Sequence, residues 1–70
     1  LWDYRVVKTK NSYKVVEVIY NNDKTINGWV DTNSILEWDN YNDLKGTAEM
    51  VLDAFKKPIL IVGENNILSE

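Results

Sequence analysis

Neither cysteine nor histidine occurs among the 70 residues. The first absence excludes disulfides and thiolate chemistry. Together they exclude a Ser-His-Asp triad, a Cys nucleophile and the usual Cys/His zinc centre. Glycine is scarce, at three residues, and proline occurs once. No G-x-x-x-x-G-K-[ST] and no G-x-G-x-x-G is present, so a phosphate-cradling loop is excluded. No apolar run approaches the roughly 18 residues of a membrane span. The opening residues lack the basic-then-apolar form of a secretory leader, so the expected compartment is the cytoplasm. The chain opens on Leu1 rather than Met, which leaves room for native residues ahead of it.

A chain of this length makes one domain and buries a small share of its surface. Small scaffolds are commonly stapled by a disulfide, a metal or a partner subunit. With the first two removed, self-association is the expected staple, and no cofactor is expected.

The net charge is −3, but it is unevenly spread. Residues 1–24 hold Arg5, Lys8, Lys10, Lys14 and Lys24 against Asp3, Glu17 and Asp23. Residues 25–70 hold Lys45, Lys56 and Lys57 against eight carboxylates. The plain reading is two surfaces of opposite charge. A nucleic-acid site on Arg5, Lys8, Lys10 and Lys14 is the alternative. Asn is abundant, at nine positions, and a low-GC genome accounts for it.

Two β-patterned runs come first. In Trp2–Val7, Trp2, Tyr4 and Val6 share one face and Asp3, Arg5 and Val7 the other. In Tyr13–Tyr20, Tyr13, Val15, Glu17 and Ile19 oppose Lys14, Val16, Val18 and Tyr20. Both faces of this second run are partly apolar, as in a central strand or one that meets a subunit. Asn21–Lys24 reads as a turn and Thr25–Thr32 as a third strand, with a bulge at Gly28. Ile35, Leu36, Trp38 and Tyr41 are too apolar for a free loop and are expected to pin residues 31–42 over the core edge.

A helix follows. Leu44, Ala48, Val51, Leu52 and Phe55 form its expected buried face. Asn42 or Asn40 is the N-cap, Asp43 suits the first turn, Lys56 and Lys57 suit the last, and Pro58 ends it. Ile59–Val62 reads as a short, fully buried strand, and Ile67-Leu68 as a tail. The expected fold is α+β: a single antiparallel sheet in β-β-β-α-β order with one helix packed on one face.

Asp39-Asn40-Tyr41-Asn42-Asp43 suggests a calcium loop, but Tyr41 stands where an oxygen ligand is required. It reads as a helix-capping segment, and no metal site is assigned. Asp31, Glu37 and Asp39 are the remaining candidates for acid–base work or a small-ligand site, and no catalytic residue is assigned. The aromatics read as core, as a stacking platform or as an interface. The interface reading is preferred, because the helix can cover only one sheet face. Its candidate residues are Trp2, Tyr4, Arg5, Tyr13, Val16, Val18, Tyr20, Ile59 and Ile61, with Arg5 also able to pair with Glu17 across the hairpin.

The W-x-Y-R-V-V opening (Trp2, Tyr4, Arg5, Val6, Val7), the later E-V-x-Y (Glu17, Val18, Tyr20), Gly28-Trp29 and Phe55-Lys56-Lys57-Pro58 together resemble a group of small bacterial proteins. These are found among mobile genes, such as phage and integron gene cassettes. The group carries no assigned activity, so the resemblance implies a fold plan and no site. The plan is also similar in topology to the β-β-β-α core of HicB-type antitoxins. The expected function is a non-catalytic, homo-oligomeric binding module.

Overall fold

A computed structural model describes all the residues, Leu1–Glu70. Strands β1 (Trp2–Lys8), β2 (Tyr13–Tyr20) and β3 (Ile26–Asp31) lead to helix α1 (Tyr41–Ala54), followed by β4 (Leu60–Val62) and β5 (Leu68–Ser69). All five strands join one sheet in the order β3-β2-β1-β4-β5.

The meander forms as its alternation predicts. Val16 lies opposite Arg5 and Val18 opposite Asp3, which fixes both strand faces. Thr9 closes the first turn: its Oγ1 accepts from the Ser12 amide at 3.0 Å. The second turn lies at residues 21–24, where Lys24 takes φ 71°. The β2–β3 register then slips by one residue, pairing Ile19 with Gly28 and Tyr20 with Ile26. The unpaired bulge residue is Asn27.

The sheet is mixed, not purely antiparallel: β1 and β4 run parallel, with Val7 opposite Leu60 and Lys8 opposite Ile61. The helical connection is the cause. β3 runs in the direction of β1, the helix carries the chain back, and the next strand leaves in that same direction. β5 is a further departure from the expected plan. Residues 67–68, read as a tail, return through a tight turn in which Asn65 and Asn66 both have positive φ, at 58° and 59°. Asn tolerates that left-handed region better than most residues.

Asn40 caps the helix, its Oδ1 accepting from the Asp43 amide at 2.8 Å. Regular helix ends at Ala54, short of Lys56 and Lys57. The buried face also differs from expectation. Thr47 and Ala54 are buried, with Leu44 and Val51 half-buried beside them, whereas Ala48, Leu52 and Phe55 are exposed. Ala54 packs with Tyr4 and Val6. With Ala54 seated on Tyr4 and Val6, the 100° step of the helix places Leu52 and Phe55 on the adjoining arc, away from the sheet.

Two cores result, one on each side of the sheet. On the helix side Tyr4, Val6 and Ala54 are supported by Val15, Ile35 and Val51. On the other side Val7, Val16, Val18, Leu60 and Leu68 cluster with Tyr20, Ile26, Trp29 and Val62. That second side was expected to lie open. It is covered because the sheet curls, bringing β4 and β5 over β2 and β3. The Trp29 indole closes the curl by donating to the Asn66 carbonyl at 2.7 Å.

Candidate functional site

The candidate interface residues do not stay together. Val16 and Val18 are fully buried in the core of the curled side, and Tyr4 is buried under the helix. Trp2, Tyr13, Ile59 and Ile61 are exposed. The Ile59–Val62 run is therefore not a fully buried strand. Leu60 and Val62 face the core, and Ile59 and Ile61 face away, where the helix does not reach.

Arg5 is buried and does not pair with Glu17, which lies opposite Tyr4 on the other face. Its Nη1 donates to the Tyr20 hydroxyl at 3.1 Å and its Nη2 to the Pro58 carbonyl at 2.8 Å. Tyr20 donates in turn to Asp3 Oδ1 at 2.7 Å, and Lys57 Nζ holds Asp3 Oδ2 at 2.6 Å. This chain of contacts latches β1 and β2 to the junction between helix and β4. Arg5 Nε is buried without a partner, a cost that the two charge-assisted bonds offset. Burial, and secondarily the bond to Asp3, hold the Tyr20 hydroxyl pKa above its ordinary value. The Tyr4 hydroxyl is raised too, by burial and then by the nearby Glu17 charge.

The basic residues of the nucleic-acid alternative are dispersed. Lys8 lies over the Tyr13 ring at 5.0 Å on the helix side of the sheet. Lys14 is on the curled side, paired with Asp31 at 2.7 Å. Lys10 stands alone in the turn, and Arg5 is inside. Of the acid–base candidates, Asp31 is held by Lys14, while Glu37 and Asp39 are exposed on the connection to the helix. No group of three carboxylates is gathered in a way that could hold a metal ion.

The hollows are small and open. One of about 290 Å³ is lined by Leu1, Trp2, Asp3, Tyr20 and Lys24. Another of about 250 Å³ lies between β3 and the Asn65-Asn66 turn, with Ile26, Trp29 and Leu68 in its wall. Both stand at the low end of the size of an ordinary small-molecule site and are open to solvent.

Large apolar side chains are frequent at the surface. Eight hydrophobic residues are buried, and fourteen large ones are exposed. Three groups stand out among them. Trp2 and Ile19 pair across β1 and β2 near Val30, beyond the footprint of the helix. Ile59 and Ile61 lie on the outside of β4. Tyr41, Leu52 and Phe55 lie on the helix. Sequence reasoning missed the helical group because it assigned Leu52 and Phe55 to the core. The signal was present in the width of the helix's apolar arc, which exceeds what one sheet face can cover.

No protein-family model matches the chain, and no curated protein or solved structure matches it.

Proposed function

We propose that the chain is a non-catalytic interaction module that associates with copies of itself. One observation carries the reading: fourteen large apolar side chains lie outside and eight hydrophobic residues inside. A core this small leaves a 70-residue chain with no disulfide marginally stable, and burying surface apolar groups against a second copy relieves that. The dispersal of Lys8, Lys10 and Lys14 and the burial of Arg5 weigh against nucleic-acid binding. An origin among mobile genes, suggested by the Trp2–Val7 pattern, stays part of the proposal.

Sedimentation velocity over a wide concentration range tests it. The expected result is an average mass rising from that of the 8.2 kDa chain toward twice that value. A mass fixed at the single chain throughout, up to millimolar concentration, overturns it.

A further inference from the structure

We propose that the second copy docks on the outer flank of the helix, along Tyr41, Ala48, Leu52 and Phe55, with the two helices antiparallel about a two-fold axis. The inference rests on the self-association proposed above and names its surface.

The helix has two apolar stripes. At about 100° per residue, Leu44, Thr47, Val51 and Ala54 share one arc, and this is the arc that meets the sheet. Tyr41, Ala48, Leu52 and Phe55 fill the adjoining arc and are exposed. Together they span about 160° of the helix, against the roughly 100° that suffices for docking on a single core. With Lys45 included, the outer stripe recurs at spacings of four and three, the period of helices that pair side by side. Lys45 can lay its stem along such a seam and keep its ammonium in water.

Symmetry and charge select a second copy as the occupant. Ala48 is the smallest residue of the stripe and stands at its centre. Tyr41 and Phe55 lie seven residues to either side, so a two-fold axis near Ala48 sets each Tyr41 against the Phe55 of the other copy. Such a contact uses the same patch twice. Glu37, Asp39 and Asp43 lie at or just before the start of the helix, and Lys56 lies just past its end, while Lys57 beside it is held by Asp3. Antiparallel pairing sets the acidic end of each copy against the basic end of the other and opposes the helix dipoles. Lys56 keeps most of its surface free, in spite of a 3.2 Å contact with Asp53.

The area sets the strength. Tyr41, Leu52 and Phe55 are 75%, 61% and 64% exposed. With rings of this size offering 150–250 Å² each, the stripe presents roughly 400 Å² per copy. That is about half of what a stable interface uses per partner, so the contact is a weak one that forms at high concentration.

The absence of native cysteine gives a direct test. Ala48→Cys sits on the proposed axis. Gly46→Cys lies on the polar face, where an added Cβ meets nothing within 4 Å. Under mild oxidation Ala48→Cys is expected to give a covalent dimer at least about tenfold faster than Gly46→Cys. Leu52→Asp is expected to weaken association measured by sedimentation by about tenfold or more. Its fold should be retained, because the side chain is outside, and circular dichroism checks that. Equal cross-linking at the two positions, or a dimer that Leu52→Asp leaves intact, overturns the helical surface while self-association stands. Loss of the dimer on Trp2→Asp or Ile19→Asp, with Leu52→Asp neutral, assigns the contact to the sheet instead. A single chain at every concentration removes both this inference and the reading beneath it.

Discussion

On one side of the sheet Val7, Val16, Val18, Leu60 and Leu68 are sealed by strands of that same sheet. On the other, Tyr4, Val6 and Ala54 lie under a helix that covers part of the face and leaves Trp2, Ile19 and Val30 outside. The same kinds of residue thus end in different states of closure. A curl closes a core without adding a layer, and it uses both faces of β4 and β5 unequally. A helix closes only the width of its own footprint, and it brings a second flank of its own into solvent. The closed side holds five buried residues and the half-closed side three. The half-closed side, with the helix flank beside it, is the one that leaves apolar surface for the association proposed above.

The largest expected effect separates the two sides directly. Leu60 is almost wholly buried on the curled side, so Leu60→Ala should cost about 2–5 kcal/mol. Val51 is only half-buried on the helix side, and Val51→Ala should cost about 1 kcal/mol. Urea denaturation gives both values, and the reverse ranking would place the main core under the helix. A smaller effect concerns how the curl is held shut. Trp29→Phe removes the donor to the Asn66 carbonyl and exchanges the indole for a smaller aromatic ring. It should cost about 1 kcal/mol and speed amide exchange at Leu68 and Ser69. Unchanged exchange there would mean that packing alone keeps the curl closed.

The smallest effect is a pH dependence with a contribution from each side. The Tyr20 hydroxyl on the curled side and the Tyr4 hydroxyl on the helix side are both held above the ordinary 10.0. The unfolded chain therefore releases these protons first as the pH rises. Stability is level with respect to them below about pH 10 and falls as the pH climbs from there through the folded values. Tyr20→Phe and Tyr4→Phe should each flatten part of the alkaline decline in the urea midpoint. A decline unaltered by both substitutions would assign it to other groups.

Much of this plan was legible in the residues. Alternation in Trp2–Val7 and Tyr13–Tyr20 gave the faces of β1 and β2, and Asn40, Asp43 and Pro58 bracketed the helix. What escaped depended on contacts distant in sequence. The helical return makes β4 parallel to either free edge of the meander, and its own residues do not say that it joins β1 rather than β3. The rotation of the helix, which sets Ala54 rather than Leu52 or Phe55 against Tyr4 and Val6, is a contact between segments far apart in the chain. The candidate site fared less well than the fold. Arg5 has the chemistry of an interface anchor, but its strand face also carries Val7 and lies opposite Val16, which takes it inside. The Asn65-Asn66 pair was a readable turn, and taking it as a hairpin would have predicted β5.

The parallel pairing of β1 with β4 has a consequence for how the chain is made. Arg5 and Pro58, which the finished latch joins, stand 53 positions apart. A ribosome delivers the central strand early and its second neighbour late. Until Leu60 emerges, β1 has one bare edge, and the valines beneath it have no lid. Contacts that close so long a loop form slowly, and an uncovered strand edge is open to other chains in the meantime. The edge of β1 is thus the last part of the sheet to be covered, and the cover comes from Leu60 and its neighbours near the end of the chain.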